Sequence, residues 1–159
     1  MNRGPLRPAG IRGLLRAIAI PVALFSLLAF AGGAEASGDL EVRRQGTSWA
    51  RIEDGGNIRV EGRLVGSIDE DGDVRVAGRL SGRVDDGGTI RENGRMVGSV
   101  EKDGTIRSAG ALPGRVEKDG TIRRKGAGWG SASPCCSGFR DVRRVAALLF
   151  FFDRGFFGP

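Results

Sequence analysis

Histidine and tyrosine are both absent from this sequence of 159 residues. Histidine is the commonest general base and the commonest zinc ligand, so its absence excludes Ser-His and Cys-His nucleophile systems. The only cysteines are the adjacent pair Cys135 and Cys136, and no second pair exists to complete a metal site. We therefore expect no enzyme activity, no metal site and no cofactor.

The cysteine pair lies in the connector Gly-Ser-Ala-Ser-Pro-Cys-Cys-Ser-Gly. No C-x-x-C spacing is present, which favours a structural or incidental role over redox catalysis. In an oxidising compartment, Cys135 and Cys136 can form a disulfide with each other or bridge to another chain. Both pairings stay open on the sequence alone.

The N-terminal segment has the order of a signal peptide. Four arginines and no acid precede an apolar run from Ala17 to Ala31, and Ala34-Glu35-Ala36 follows it. These are a basic region, an apolar region and an A-x-A cleavage site, so we expect cleavage after Ala36. The run contains Pro21 and is shorter than the roughly twenty residues that span a bilayer.

The export route follows from two further absences. No Arg-Arg pair precedes the apolar run, which favours the Sec route over the twin-arginine route, and no cysteine follows it, which argues against a lipoprotein. We expect a periplasmic or secreted protein that begins at Ser37. Removing residues 1–36 removes four arginines and one glutamate, so the formal charge falls from +6 to +3.

The mature chain has few features of a nucleic-acid-binding protein. Its basic and acidic residues are interleaved, and its repeats contain few aromatic side chains on which bases could stack. We expect no nucleic-acid partner. The partner is otherwise unknown from the sequence, with self-association and contact with an envelope component both open.

A sixteen-residue repeat dominates the mature chain. Its complete rows are IRVEGRLVGSIDEDGD, VRVAGRLSGRVDDGGT, IRENGRMVGSVEKDGT and IRSAGALPGRVEKDGT, with partial rows before and after them. Such a period is typical of a repeat architecture. Three glycine columns alternate with three apolar columns, and their first members are Gly46, Gly56 and Gly66, and Ile52, Ile58 and Leu64.

The spacing of these columns predicts the turns and the strands. A three-residue loop Glu70-Asp71-Gly72 places Ile68 opposite Val74, as a type I turn closed by a left-handed glycine does. A three-residue loop Val60-Glu61-Gly62 places Ile58 opposite Leu64. Each repeat is then a three-stranded meander with one apolar side chain at the centre of each strand, facing one core.

Five such meanders are predicted, starting near Arg51, Ser67, Arg83, Ser99 and Arg115. None is large enough to be stable alone, so the five must share one core. We therefore predict an all-β fold, a closed ring of five three-stranded petals with pseudo-five-fold symmetry, followed by a short apolar helical tail. An open solenoid is the alternative.

The predicted boundaries are a signal peptide at 1–36, a lead-in at 37–50, the repeat domain at 51–129, a Gly/Ser/Cys linker at 130–138 and a Phe-rich segment at 139–159.

The unit IR-x-x-G-R-x-x-G-x-V-x-x-D-G-T over Leu40 to Trp129 resembles that of the five-fold β-flower proteins, which are small bacterial proteins. The run Ala146 to Phe152 is similar to their phenylalanine-rich ends. The resemblance implies the petal ring and no known activity.

Two charge columns occupy outward positions of the repeats. The acidic column is Glu53, Asp69, Asp85, Glu101 and Glu117, and the basic column is Arg59, Arg75, Arg91, Arg107 and Arg123. Each arginine lies diagonally across from an acid of the neighbouring strand. The columns predict either a solvated salt-bridge network or a repeated patch that binds a polyanion or a glycan at several equivalent points.

The segment Asp69-Glu70-Asp71-Gly72-Asp73 resembles a calcium loop, but the chain turns back too soon to supply the ligands of an EF-hand. The equivalent turns carry lysine at Lys102 and Lys118. Turn chemistry is therefore the favoured interpretation.

Apolar residues of the tail recur at helical spacing from Val142 to Phe152. Three fates of this segment are open: it plugs the repeat core, pairs with another subunit, or dips into a membrane surface. The third would use the phenylalanines and the flanking basic residues. These side chains are Phe150, Phe151 and Phe152, and Arg140, Arg143 and Arg144.

The function predicted from these features is that of a non-enzymatic, exported structural or interaction protein of the bacterial envelope. The alternative is a binding module for cell-wall glycan or an anionic membrane surface, which would use the arginine column and the Phe-rich tail.

Overall fold

A computed structural model describes residues 38–109 and 111–158, and the predicted signal peptide lies outside these ranges. Twelve strands precede one α-helix and a short 3-10 helix. The strands are β1 (Leu40–Arg44), β2 (Thr47–Ile52), β3 (Asn57–Val60), β4 (Arg63–Ile68), β5 (Asp73–Val76), β6 (Arg79–Val84), β7 (Thr89–Glu92), β8 (Arg95–Val100), β9 (Thr105–Ser108), β10 (Ala111–Val116), β11 (Thr121–Arg124) and β12 (Ala127–Ser133). The helix α1 is Phe139–Phe152 and the 3-10 helix is Arg154–Phe156.

Each strand pairs antiparallel with the next one along the chain, and β1 pairs with β12, so the sheet closes into a barrel. The predictions of an all-β fold and of a helical tail are confirmed, and the fold is closed, as a twelve-stranded barrel. The five three-stranded petals are not confirmed. Within the described residues, six two-stranded hairpins form one continuous ladder, because both partial rows of the repeat also fold into hairpins.

The lead-in and the linker contribute to this closure. Leu40–Arg44 forms β1, which lies in the predicted lead-in, and β12 extends to Ser133, inside the predicted linker. Val42 pairs with Ala132 across the junction. The barrel therefore runs from residue 40 to residue 133 and is longer than the predicted repeat domain.

One end of the barrel carries two-residue turns. Glu61 and Gly62 have φ angles of 48° and 80°, and Val60 pairs directly with Arg63. Two successive residues with positive φ define a type I′ turn, whose twist matches that of the flanking strands. The predicted three-residue loop at this turn is therefore wrong.

A bulge follows each type I′ turn and changes the register. Arg59 pairs with Leu64 and Ile58 pairs with Gly66, so Val65 is an extra residue on β4. The predicted pairing of Ile58 with Leu64 is wrong, and so is the inward orientation of the Leu64 column. Leu64, Leu80 and Met96 are 58%, 56% and 63% exposed, because the bulge places Gly66 and its equivalents in the inner wall instead.

The opposite end carries the longer turns, and here the predicted register is confirmed. Ile68 pairs with Val74, and the Asp69 amide donates to the carbonyl of Asp73 at 3.1 Å. The Gly72 amide donates to the carbonyl of Asp69, and Gly72 has a φ of 86°. This geometry is a type I turn closed by a glycine in the left-handed region.

Backbone hydrogen bonds link each hairpin to the next at the level of the bulge. The carbonyl of Val65 accepts from the amide of Ala77 at 3.0 Å, and the carbonyl of Pro113 accepts from Lys125 at 2.8 Å. A bulge residue leaves the strand ladder at its own amide, so proline is tolerated at this position. The bulges therefore use their free carbonyls to hold neighbouring hairpins together.

The helix α1 fills the barrel. Five consecutive residues from Val145 to Leu149 have no exposed surface, which covers more than one helical turn and therefore every side of the helix. The inner wall contributes fully buried side chains such as Ile58, Val74 and Ile90. Three fates of the Phe-rich tail were open, and in the structure the tail plugs the barrel core.

Glycines in the inner wall make room for the phenylalanine rings at the end of α1. A Cβ added at Gly66 would lie 2.7 Å from Phe152, and the same atom at Gly82 would lie 2.5 Å from Phe151. Gly98 stands in the same relation to Phe150. The glycine column that was predicted to separate the meanders is therefore the surface on which the phenylalanine rings pack.

The chain beyond α1 is held at the mouth with the type I′ turns. The Arg124 guanidinium donates to the carbonyls of Phe156 at 2.8 Å and Gly158 at 2.9 Å. Phe156 is fully buried and packs edge-on against Trp129, with ring centroids 5.4 Å apart. These contacts fix the C-terminal end of the plug.

We predict that Gly82→Ala destabilises the barrel by about 2–4 kcal/mol, since the new methyl group collides with both the Phe151 ring and the carbonyl of Arg91. Chemical denaturation of the purified protein measures the change. The matched control is Gly128→Ala, since a Cβ at Gly128 meets nothing within 4 Å. Equal stabilities of the two variants would show that the rings do not rest on the glycine column.

Candidate functional site

The outer wall of the barrel carries the predicted arginine column. One member projects outward from the middle of each odd-numbered strand from β3 to β11, and four of the five are exposed while Arg59 is partly buried. The five residues are Arg59, Arg75, Arg91, Arg107 and Arg123. The structure thus brings them to one level around the barrel.

A second set of arginines faces this column, and the sequence reasoning missed it. Arg51 pairs directly with Arg59, Arg83 with Arg91, and Arg115 with Arg123. On the two intervening hairpins, a serine faces the arginine instead, as Ser67 faces Arg75. The signal was present in the sequence as an arginine at positions 51, 83 and 115 that alternates with a serine.

Three arginines of the predicted column form ion pairs with glutamates. Arg59 Nε lies 2.6 Å from Glu53, Arg107 Nε lies 2.6 Å from Glu101, and Arg123 Nε lies 2.7 Å from Glu117. The hydrogen bond from Arg59 lowers the pKa of Glu53, and the hydrogen bond to Glu101 raises the pKa of Arg107. The diagonal pairing predicted from the sequence is therefore present at these three positions.

The two aspartates of the acidic column have a different role. Asp69 Oδ1 accepts from the amide of Asp73 at 2.9 Å, and Asp85 Oδ1 accepts from the amide of Thr89 at 2.8 Å. The shorter aspartate side chain reaches its own turn instead of the neighbouring strand. Among the described residues, Arg75 and Arg91 are consequently left without a carboxylate partner.

Shallow grooves recur on the outer wall where two hairpins meet. One of about 320 Å³ lies beside Trp49 and Arg59, one of about 420 Å³ beside Leu64 and Arg75, and one of about 280 Å³ beside Met96 and Arg107. Each combines one arginine of the column with the bulge of the preceding strand. The wall therefore presents similar sites at several places around the barrel.

The phenylalanines of the predicted binding set lie elsewhere. Phe150, Phe151 and Phe152 are partly buried and pack against the inner wall of the barrel, so the structure does not bring them together with the arginine column. Sequence spacing alone could not separate this packing from the other two fates of the tail.

The basic residues at the start of α1 contact the longer turns. Arg143 forms an ion pair with Asp86, Arg140 lies 3.8 Å from Glu70, and Arg144 donates to the carbonyl of Glu53 at 2.5 Å. Burial lowers the pKa of Arg144. These side chains attach the plug to the acidic rim, whereas the sequence suggested that they suit an anionic surface.

Cys135 and Cys136 form a disulfide with each other, so the structure has the first of the two pairings that the sequence left open. Across residues 38–109 and 111–158, no three carboxylate or thiol groups are placed to hold a metal ion. No helix in the described part of the chain has the length and apolar character needed to cross a membrane.

Comparisons of this chain with protein-family models, with curated proteins and with solved structures give no match.

We predict that the stability difference between the protein and Asp103→Asn shrinks as the pH falls below 3.8. The backbone amide and then the hydroxyl of Thr105 donate to Asp103 and lower its pKa from the ordinary value of 3.8. A lowered pKa means that the ionised carboxylate stabilises the fold above pH 3.8 and that this contribution is lost as the pH falls through the folded-state value.

Thermal unfolding at pH 7 and at several lower pH values measures the effect, and we expect a loss of about 3 °C at pH 7. Asp71→Asn is the control, because Asp71 occupies the same turn position while Asp69 makes the hydrogen bond. A pH-independent loss in the Asp103 variant would contradict the assignment.

Proposed function

We propose that the chain is a non-enzymatic, exported interaction protein of the bacterial envelope whose outer barrel wall binds an anionic component. The observation that carries this proposal is the set of three arginine pairs, Arg51 with Arg59, Arg83 with Arg91 and Arg115 with Arg123. Like charges directly opposite each other destabilise a sheet. Among the described residues, carboxylates of the chain contact five of these six arginines and leave Arg91 without one, and an anionic partner would offset the repulsion that remains.

The positions of these pairs favour a multivalent contact. Successive pairs are separated by four of the twelve strands, so they are spread around the circumference at equal strand intervals. Several weak contacts to one flexible polymer raise the overall affinity far above that of any single contact. The recurrent grooves beside Arg59, Arg75 and Arg107 support the same interpretation.

The use of the interior supports a non-enzymatic role. A barrel of this size can enclose a ligand cavity, but here α1 fills it with apolar side chains. Several carboxylates of the wall already have arginines or turn amides as partners, so they are not placed to act on a substrate.

Export is proposed on the order of the N-terminal segment and on the cysteine chemistry. The basic, apolar and A-x-A regions are those of a Sec signal, and a disulfide between Cys135 and Cys136 fits an oxidising compartment. Membership of the β-flower proteins also remains a proposal. It rests on the repeat unit, whereas the strand count per repeat differs from the three-stranded petal that the resemblance implies.

We predict that Arg75→Gln combined with Arg91→Gln lowers the affinity for a polyanion by about tenfold, because these two arginines have no carboxylate partner among the described residues. Dextran sulfate is the probe, and the affinity is measured by titration at low and moderate salt. The matched control is Arg107→Gln with Arg123→Gln, which removes the same charge from arginines that glutamates already neutralise. Equal losses in both variants would leave only net charge as the cause, and no binding by the unchanged protein would refute the proposal.

We predict that the full chain, produced in a bacterium with a Sec system, is recovered outside the cytoplasm with Ser37 as its first residue. N-terminal sequencing and the intact mass measure the cleavage. The control is Ala36→Gln, which replaces the small residue that the cleavage site requires and retains the uncut precursor. An uncut, cytoplasmic protein without this change would rule out the export proposal.

A further inference from the structure

Three large apolar side chains project from one side of the barrel into solvent. Leu64 on β4, Leu80 on β6 and Met96 on β8 are each more than half exposed. Their strands alternate with β5 and β7 in the ladder, so neighbouring members stand about 10 Å apart at the usual strand spacing. Single exposed leucines are ordinary, but three at one level form a stripe.

Arginines are interleaved with this stripe on the same face. Leu64 pairs with Arg59, Leu80 with Arg75 and Met96 with Arg91, and directly paired residues project from the same face of a sheet. We refer to these six residues as the arginine–leucine face. Arg79 and Arg95, which are also exposed, precede Leu80 and Met96 in the chain.

The apolar stripe does not run all the way around the barrel. At the equivalent position, the hairpin of β1 and β2 has Ser48, and the hairpin of β11 and β12 has Gly128, so neither carries a large apolar residue there. The hairpin of β9 and β10 continues the column with Leu112. The repeats are otherwise closely similar, and the inner wall needs no difference at an outward position. The two hairpins that close the barrel therefore lack the apolar residue, and the partner meets the wall formed by the others.

We propose that the arginine–leucine face docks the protein peripherally on an anionic lipid surface. The inference rests on the proposed function and names the partner of the outer wall as lipid. Guanidinium groups bind the phosphates of lipid headgroups, and side chains such as Leu80 enter the boundary between headgroups and acyl chains. A soluble anionic polymer would use the arginines alone and leave the apolar stripe in water.

Charge complementarity also argues against a second copy as the occupant. Two arginine–leucine faces in a symmetric dimer would bring three arginines of one subunit against three of the other, and two of the three, Arg75 and Arg91, lack a carboxylate partner among the described residues. Such juxtaposed like charges oppose association. An anionic lipid surface, in contrast, attracts each of them.

The test compares binding of the mature protein and of Leu64→Ser/Leu80→Ser/Met96→Ser to two kinds of vesicle. One kind is phosphatidylcholine alone, and the other is phosphatidylcholine and phosphatidylglycerol in equal parts. We expect the unchanged protein to bind the anionic vesicles only, and the triple variant to bind them at least about tenfold more weakly, because three apolar contacts are lost. The exposed positions leave the fold intact, and an unchanged thermal midpoint verifies this.

The control is Lys102→Gln/Lys118→Gln, which removes two charges from exposed turns at the opposite end of the barrel. Vesicle binding equal to that of the unchanged protein is expected. Arg79→Gln/Arg95→Gln removes the same charge beside the stripe, and we expect a loss of about fivefold per arginine.

Dextran sulfate binding separates the two proposals. If the triple variant keeps this binding but loses vesicle binding, the lipid assignment is supported. Two results would overturn it while leaving the proposed function intact: the unchanged protein binds dextran sulfate but not the anionic vesicles, or the triple variant binds the vesicles as well as the unchanged protein. A dimer that the triple variant dissociates would also overturn it, with a second copy as the occupant.

Discussion

The packing of phenylalanine rings on glycines is the contact on which this barrel depends. A closed sheet of twelve strands encloses more space than the side chains of its own wall fill, and α1 occupies that space. The helix fits because Gly66, Gly82 and Gly98 present bare backbone to the rings of Phe152, Phe151 and Phe150. Helix and wall therefore form one core, and neither would bury its apolar surface without the other.

The bulge on each even-numbered strand makes this contact possible. Side chains alternate strictly between the two faces of a strand, so one extra residue moves everything beyond it to the other face. At β4 the bulge turns Gly66 inward and leaves Leu64 outside. The same irregularity frees a carbonyl for the next hairpin and exposes the apolar stripe of the outer wall. Core packing and the candidate binding surface thus have a common structural cause.

The glutamates and aspartates of the acidic column have different roles because their side chains differ in length by one methylene group. Glu101 reaches across to Arg107, whereas Asp85 caps its own turn and leaves Arg91 without a carboxylate partner among the described residues. The sequence predicted the arginine column and its diagonal acids correctly in position. It could not predict which arginines stay unneutralised, because that depends on side-chain reach. That Arg83 faces Arg91 follows from the register at the longer turns, so the sequence did contain this information.

The sequence by itself determined the period, the all-β class and the register at the longer turns, since glycine and aspartate spacing constrains local backbone geometry directly. Only the tertiary structure decided the number of strands per repeat, the direction in which Leu64 points and the fate of the tail. Those features depend on whether the C-terminal helix occupies the barrel, and a local pattern cannot contain that information. The physical reason is volume, because the wall adopts the register that leaves room for the rings of α1.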